Sequence, residues 1–431
     1  MEQRNEFDIV LWGATGFVGR LVAEGLAARF PNGGLRWAIG GRNQEKLEAV
    51  RSSLPTNTDI PIIVGDSHDL ASLEAFVTRT KVVCSVVGPY AKYGSELVNA
   101  CVRHGTDYCD LTGEAHWIRN MIDAHQAEAE RSGARIVNSC GFDSIPSDFG
   151  VFFLQQAAEQ FYGAQCPRVR TRVTAMKGGF SGGTVASLVH GMETFPRDKS
   201  ILRYMTEPYS LCPPNQREGP DPPDKMMSVK VEYDSDLEGW TKPFFMAPAN
   251  CKIVRRTNAL LGYPYGRDFR YEEASWVGGG IRGWLRATGG AYRYAAFLGL
   301  MAMPPTRWLL KRFLLPKSGE GPSRKVRESG FWRIALVGTL PNGEILRAQV
   351  SGEGDPGELS TSRMLIESAL CLVEDSDSLS AKGGLWTPAS AMGDVLLSRL
   401  RANAGLSFEL EQEKNPNRAA LVPAGMTKGD S

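Results

Sequence analysis

The chain has 431 residues, 42% of them apolar and 23% charged, and these proportions exclude a disordered or fibrous protein. One hydrophobic core stops growing before this length is reached, so we expect more than one domain. Forty-nine basic and 48 acidic residues give a net charge of +1, which argues against a protein that binds nucleic acid.

Residues 7–140 alternate between short β-rich runs and helical patterns, which is typical of βαβ units. The run at 82–87 is almost continuously apolar, as in a strand buried on both faces. The predicted fold class is α/β: an N-terminal Rossmann domain with a doubly wound parallel sheet. Its strands are predicted at 7–11, 35–39, 61–64, 82–87, 108–110 and 135–139.

The pattern changes after Pro146, where an alternating strand at 169–177 precedes a helix. Two further strands, 332–340 and 345–351, flank a Pro-Asn-Gly-Glu turn and predict a hairpin. These features indicate a second, α+β domain with an antiparallel sheet. Thr387 and Pro388 predict the start of a late helix. The expected division is a Rossmann domain at 1–146, a substrate and dimerisation domain at 147–380, a C-terminal helix returning to the Rossmann domain at 381–411, and a flexible tail at 412–431.

A glycine-rich loop follows the first strand and opens the first helix. Glycine is needed where the backbone turns tightly, where it approaches a pyrophosphate, and where the helix packs on the strand. The spacing is G-x-x-G-x-x-G, and its position between strand and helix predicts a dinucleotide site. The predicted cofactor-binding residues of this loop are Gly13, Thr15, Gly16, Phe17, Val18 and Gly19.

The end of the second strand predicts which nicotinamide cofactor binds. An acidic residue there accepts from a ribose hydroxyl, whereas arginine pairs with a 2′-phosphate. Arg42 occupies this place and no carboxylate appears before Glu45, so NADPH is expected. A merely solvated Arg42 is the alternative. Further cofactor contacts are expected from Asp66 and Ser67 on the adenine side and from Gly88 and Pro89 near the nicotinamide.

Other chemistries find less support. The run 179–183 matches the G-x-S-x-G pattern of hydrolases, but the only later histidine, His190, is too close in the chain for that fold. The five histidines lack metal-ligand spacing, so no metal is expected. The eight cysteines are scattered, which indicates free thiols in a reducing compartment. Without a signal-peptide pattern or a membrane-spanning run, we expect a cytoplasmic protein.

The segment 294–315 is unusually apolar and is interrupted by two prolines. Eleven basic and two acidic residues lie between Arg282 and Arg333. Such a segment suits peripheral contact with a membrane, or with an apolar chain that has an anionic head. A buried helix or a homodimer face with a basic rim is the alternative.

The motifs at 13–19, 38–47, 86–90, 107–114 and 140–148 together resemble the saccharopine dehydrogenase-like oxidoreductases. The resemblance is closest to the branch that contains trans-acting enoyl reductases and spans most of the chain. It implies a Rossmann domain, a second domain that covers the nicotinamide, and a C-terminal helix that returns to the first domain.

The leading hypothesis is NADPH-dependent reduction of a carbon–carbon double bond in an acyl or polyketide thioester, free or carried by a partner. Tyr90, which follows the fourth strand, is the first candidate for proton donor or enolate stabiliser. Tyr93, Glu114 and Asp143 are the reserve candidates for catalysis. A saccharopine-type amino-acid dehydrogenase and a non-catalytic nucleotide-binding protein on lipid surfaces remain as alternatives.

Overall fold

The computed structural model describes residues 5–57, 59–179, 181–194, 199–216, 219–220, 230–317 and 319–411. Fourteen strands occur in these residues: β1 Phe7–Trp12, β2 Trp37–Gly41, β3 Ile62–Val64, β4 Thr80–Ser85, β5 Asp107–Asp110, β6 Arg135–Val137, β7 Arg168–Lys177, β8 Glu232–Asp234, β9 Gly239–Lys242, β10 Arg270–Trp276, β11 Phe331–Thr339, β12 Ile345–Glu353, β13 Gly384–Trp386 and β14 Leu406–Leu410.

Fifteen α-helices connect these strands in the same part of the chain: α1 Phe17–Arg29, α2 Gln44–Ser53, α3 Leu70–Val77, α4 Tyr90–Tyr93, α5 Ser95–His104, α6 Ala115–Ser132, α7 Ile145–Tyr162, α8 Gly182–Thr194, α9 Lys199–Thr206, α10 Ala247–Leu260, α11 Gly280–Ala302, α12 Pro304–Phe313, α13 Arg324–Glu328, α14 Thr361–Glu374 and α15 Pro388–Asn403. A π-helical turn, Pro356–Ser360, precedes α14.

The first sheet is parallel and doubly wound, as predicted. Its order is β13-β6-β5-β4-β1-β2-β3, so the chain runs outwards in opposite directions from the neighbours β1 and β4. Every residue of β1 is buried, because helices cover both faces of the sheet. A crevice opens beyond the carboxyl ends of the strands at such a switch point. The loops that follow β1 and β4 are therefore expected to border this crevice.

Several predicted strands of this sheet have shifted limits, among them the second and the fourth. The strand expected at 35–39 is β2, which begins two residues later, at Trp37. The strand expected at 82–87 is β4, which ends at Ser85. Val86 and Val87 continue the apolar run, but their side chains pack against the backbone of Gly13. Apolar continuity extended the predicted strand beyond the sheet because these valines are partly buried against the glycine-rich loop.

The second sheet contains the predicted hairpin, since β11 and β12 pair antiparallel through nine residue pairs. The order is β14-β12-β11-β7-β10-β9-β8. The sheet is mixed, whereas an antiparallel sheet was expected, because β7 and β10 run parallel. Parallel neighbours need a long crossover, and the chain between these two strands includes helices α8, α9 and α10.

The C-terminal part of the chain contributes to both sheets. Helix α14 packs on α1, where Glu367 forms an ion pair with Arg29. Strand β13 then extends the first sheet beside β6, and β14 forms the edge of the second sheet beside β12. Helix α15 begins after Thr387 with a capping box, as predicted. The domain limits at 146, 380 and 411 stay predictions, and the expected tail at 412–431 lies outside the described residues.

All eight cysteines are free and buried, as the scattered spacing predicts. No group of three or more His, Cys, Asp or Glu side chains in the described part of the chain is arranged to hold a metal ion. None of the described helices is both long and apolar enough to cross a membrane. The apolar segment 294–315 forms the end of α11 and all of α12, and α12 has no buried residue.

Candidate functional site

The glycine-rich loop joins β1 to α1 at the switch point of the first sheet. Gly13 has φ +99°, and a Cβ atom there would lie 2.6 Å from Cγ2 of Val87. A Cβ atom at Gly19 would collide with the carbonyl oxygen of Gly13. The loop therefore requires glycine at both places, so that the backbone can turn and α1 can pack closely on β1.

The start of α1 is suited to bind a phosphate group. Gly16 is its N-cap, and no described side chain caps it. The first backbone N–H groups of a helix lack partners within the helix and attract anions. Thr15, Phe17 and Val18 surround this helix start and are all partly buried. The arrangement fits the pyrophosphate of a dinucleotide.

Three basic side chains surround Tyr93 beyond the ends of β2, β3 and β4. The guanidinium carbon of Arg42 lies 5.7 Å from the centre of the Tyr93 ring. The Nζ atom of Lys92 lies 5.0 Å from the same centre, and the His68 ring lies 5.4 Å from it. An exposed cluster of this kind can pair with the 2′-phosphate of NADPH and stack on a planar ring. Tyr93 was expected near the reacting atoms, and it lies beside Arg42.

The two residues predicted on the adenine side point in different directions. Asp66 is exposed, and its Oδ1 atom accepts a 2.9 Å hydrogen bond from the backbone N–H of His68. Ser67 is buried, and its hydroxyl accepts a 3.3 Å hydrogen bond from Nε1 of Trp12. The Asp66 side chain is thus accessible to a nucleotide, whereas the Ser67 hydroxyl packs inside the domain.

The loop after β4 faces the glycine-rich loop through Val86 and Val87. A cis peptide joins the next two residues, Gly88 and Pro89. A Cβ atom at Gly88 would lie 3.5 Å from Oγ of Ser187, which belongs to α8. This loop is therefore where a helix of the second part of the chain meets the Rossmann-type sheet.

The Tyr90 hydroxyl points into the protein. It donates a 3.0 Å hydrogen bond to the carbonyl oxygen of Ser85, and the residue is buried. Burial raises the pKa of this phenol well above its usual value, with a smaller contribution from the charge of Asp110. The hydroxyl consequently stays protonated and ties α4 to the end of β4.

The Glu114 carboxylate binds the start of helix α4. Its two oxygens accept hydrogen bonds of 2.9 and 3.0 Å from the backbone N–H groups of Tyr90 and Ala91. Oε1 also accepts a 2.9 Å hydrogen bond from the hydroxyl of Ser187. Three hydrogen bonds therefore hold this carboxylate in place. Because two of them come from the start of α4, the carboxylate positions the loop after β4.

Asp143 lies in the loop that joins β6 to α7. Its Oδ1 atom is buried and has no hydrogen-bond partner among the described residues. Burial, with a smaller contribution from the nearby charge of Glu273, raises the pKa of this carboxyl to about 7. An aspartic acid in this environment can carry a proton at neutral pH and release it.

Comparison with known proteins adds to this geometry. Residues 9–137 match the saccharopine dehydrogenase NADP-binding domain. The chain is 40% identical over 407 residues to the trans-acting enoyl reductase of Mycobacterium ulcerans (strain Agy99), covering 92% of this chain and 96% of that protein. It is 43% identical over 414 residues, 94% of this chain and 97% of the relative, to a Mycobacterium tuberculosis (strain ATCC 25618 / H37Rv) protein provisionally named a trans-acting enoyl reductase.

The chain belongs to the saccharopine dehydrogenase-like oxidoreductases. It is an NADP-dependent oxidoreductase, and the predicted cofactor is confirmed at the level of the family. Its fold is shared with apo saccharopine dehydrogenase (L-Glu forming) from Saccharomyces cerevisiae, with a TM-score of 0.51 and 13% identity over 94% of this chain and all of the other.

One important residue of this oxidoreductase was missed by the sequence analysis. Asp110 is buried at the end of β5 and accepts hydrogen bonds from Tyr108, Asn138 and the backbone N–H groups of Thr112 and Ser139. Burial raises its pKa to about 6. These bonds fix the loops after β5 and β6 relative to each other. The Asp-Leu-Thr-Gly-Glu motif was the available signal, but it was used only for the family resemblance.

A second missed feature is a strap, residues 316–317 and 319–323, that crosses the start of α1. The Arg20 guanidinium donates a 2.8 Å hydrogen bond to the carbonyl oxygen of Gly319. A Cβ atom at Gly321 would lie 2.6 Å from the ring of Phe17. The backbone N–H of Gly182, the first residue of α8, donates a 2.9 Å hydrogen bond to the carbonyl oxygen of Glu320. In this oxidoreductase the strap therefore lies over the cofactor loop.

The hydrolase-like run 179–183 lies at the start of α8. Phe180 lies outside the described residues. Ser181 is buried and lies beside the Glu358 carboxyl, whose pKa is raised to about 8, chiefly by burial. His190 lies on α8 itself. Ser181 thus meets a protonated acid and not a general base, which agrees with the oxidoreductase assignment.

Proposed function

We propose that this protein uses NADPH to reduce a carbon–carbon double bond conjugated to the thioester carbonyl of an acyl or polyketide chain. The observation that carries this proposal is the 40% identity to a protein named a trans-acting enoyl reductase, over 92% of this chain. The substrate, whether free or carried by a partner, would enter the cleft beneath the strap and α8.

Binding of the cofactor would be divided among three groups of residues. The glycine-rich loop would hold the pyrophosphate at the start of α1, because Gly13 and Gly19 leave room for it. Arg42, with Lys92 and Tyr93 beside it, would bind the 2′-phosphate and the adenine. When bound, NADPH supplies a hydride, which is accepted by the β-carbon of the substrate.

Asp143 is the candidate that best fits delivery of a proton to the α-carbon. Support comes from its raised pKa of about 7 and from its unpartnered Oδ1 atom. The hydroxyl of Tyr90 and the carboxylate of Glu114 already have hydrogen-bond partners, so we assign them to positioning of α4 and the loop after β4. Each reduction would consume the double bond, one hydride and one proton.

The experiment that tests this function measures NADPH consumption by the purified protein. Medium- and long-chain enoyl thioesters, a ketoacyl thioester, and aminoadipate semialdehyde with glutamate are compared, each with a matched NADH reaction. We expect turnover with an enoyl thioester and NADPH. Turnover only with the semialdehyde would indicate an amino-acid dehydrogenase, and tight NADPH binding without any turnover would favour a binding protein.

The proposal also extends to the partner and the location of the protein. If the substrate is a lipophilic acyl chain, a cytoplasmic protein could contact lipid through residues 294–315. The competing arrangement is a homodimer that forms through the same segment. Sedimentation analysis of the purified protein determines directly whether such a homodimer forms.

A further inference from the structure

Helices α11 and α12 present an apolar surface that the other described elements do not cover. Ten of the sixteen exposed large apolar side chains in the described residues lie between residues 281 and 314. Six of them are 58–77% exposed: Ile281, Leu285, Tyr292, Trp308, Phe313 and Leu314. We call this surface the α11–α12 face. Contiguous exposed apolar patches on monomeric proteins mark interaction sites.

The same face is strongly basic. No acidic residue occurs between Glu273 and Glu320. Exposed basic side chains lie among the apolar ones, at Arg282, Arg286, Arg293, Lys311 and Arg312. The acidic side chain that approaches α12 is Glu193 of α8, whose Oε1 lies 3.6 Å from Nε of Arg307 and 3.7 Å from Nζ of Lys311.

Helix α11 packs on the protein in an orientation that exposes the α11–α12 face to solvent. Its buried residues include Gly283, Ala287 and Gly290. A Cβ atom at Gly290 would lie 2.6 Å from Cδ of Lys242, so α11 is packed closely on β9 along this narrow stripe of small residues. Ile281, Leu285 and Tyr292 of α11 consequently lie on its solvent side.

We propose that the α11–α12 face docks this protein on an anionic lipid surface and holds the cofactor cleft there. Aromatic and aliphatic side chains interleaved with Arg and Lys are the composition of helices that lie in a membrane interface. A second copy does not fit. Two-fold pairing places the same patch on both sides, so five cations of one copy would face the same five of the other without any acidic partner from this segment.

The connection to the cleft gives the docking a consequence for the reaction. Helix α12 ends shortly before the strap, in which Gly321 lies against Phe17 at the start of α1. Glu193 links α12 to the last turn of α8, and Ser187 of α8 binds Glu114 at the loop after β4. Docking would therefore place two walls of the cleft at the lipid surface, where an acyl chain can enter without crossing water. This last step rests on the proposed function.

The test of docking measures sedimentation of the NADPH-bound protein with vesicles of phosphatidylglycerol or of phosphatidylcholine. We expect binding to phosphatidylglycerol that weakens with added salt. The double variant Trp308→Ser/Phe313→Ser should bind at least about tenfold more weakly. The triple variant Arg282→Glu/Arg286→Glu/Arg312→Glu should lose more than about 100-fold, since each basic residue near an anionic surface contributes about fivefold.

Matched controls carry the same changes elsewhere on the surface. Tyr233→Ser and Arg131→Glu alter exposed residues outside the α11–α12 face and should bind vesicles like the unchanged protein. NADPH titration and circular dichroism verify that every variant is folded. Equal binding to both vesicle types, no binding to either, or unchanged binding by both multiple variants would refute lipid docking. If the unchanged protein forms a dimer and the double variant Trp308→Ser/Phe313→Ser dissociates it, the α11–α12 face serves self-association and not lipid docking.

Turnover separates this inference from the proposed function. Phosphatidylglycerol vesicles should raise kcat/KM for a long-chain enoyl thioester and leave that for a short-chain one unchanged. Vesicle binding without turnover of any thioester would reject the proposed reaction and retain the docking surface. Turnover without vesicle binding would reject the docking surface and retain the reaction.

Discussion

The Ser187 hydroxyl donates a 2.9 Å hydrogen bond to Oε1 of Glu114 and joins α8 to the loop after β5. The same carboxylate binds the first backbone N–H groups of α4. The Glu114 side chain thus sets the position of the loop after β4 relative to helix α8.

Removal of this hydroxyl should loosen the cleft without unfolding the protein. We expect Ser187→Ala to lower the free energy of unfolding by about 1 kcal/mol, the usual net value of one hydrogen bond. The KM of the thioester should rise more than kcat falls, because α8 would be less well positioned. Ser398→Ala is the control, since it removes a 2.9 Å bond to Asp394 on the exposed side of α15. Equal KM values for the two variants would contradict the assignment.

Arg42 should decide the preference for NADPH. Arg42→Ala should raise the KM of NADPH about 10- to 100-fold, which corresponds to loss of a charged hydrogen bond, and leave the KM of NADH nearly unchanged. Steady-state kinetics with both cofactors measures this difference. Arg51→Ala, at a partly exposed arginine of α2, serves as the control. A parallel loss with both cofactors would show that Arg42 does not read the phosphate.

Asp143 should give the reaction a pH dependence. Its pKa is raised to about 7, so the acid form predominates below that pH. A proton donor must be protonated, and kcat should therefore fall as the pH rises through about 7. Asp143→Asn should lower kcat by about 100-fold or more at pH 6 and abolish this limb. Asp377→Asn, at an exposed position, should keep the profile of the unchanged protein. A retained limb in Asp143→Asn would assign the proton to another group.

Gly19 should be irreplaceable for a steric reason. Gly19→Ala places a methyl group against the carbonyl oxygen of Gly13, so we expect a loss of about 1–3 kcal/mol in unfolding free energy and much weaker NADPH binding. Gly299→Ala is the matched control on helix α11, where an added Cβ meets nothing within 4 Å. Thermal unfolding and NADPH titration compare the two. Unchanged NADPH affinity in Gly19→Ala would exclude the proposed role of the loop.

Local patterns predicted the elements whose burial depends on near neighbours in the chain. The glycine-rich loop, the start of helix α15 and the β11–β12 hairpin have their expected form because their turn residues, helix cap and apolar spacing are local signals. Strand β13 has only three residues, Gly384–Trp386. Its place beside β6 depends on a partner about 250 residues earlier, and no local pattern indicates such pairing.

The orientation of side chains in the site was harder to predict than their location. Tyr90 follows β4 as expected, but its hydroxyl turns towards Ser85 because the short helix α4 is rotated by its bonds to Glu114. Tyr93 shares that helix and so faces Arg42. Sequence spacing gives the neighbourhood of such residues, whereas their direction is set by contacts that form only in the folded chain.

The placement of β13 and β14 has a consequence for biosynthesis. Each strand closes one edge of a different sheet, and both lie within residues 384–410. Chains fold progressively as they leave the ribosome, yet here neither sheet can be completed until residues 384–410 have emerged. The strands that precede them must therefore wait with open edges, and loss of residues 384–410 would leave both sheets unfinished at once.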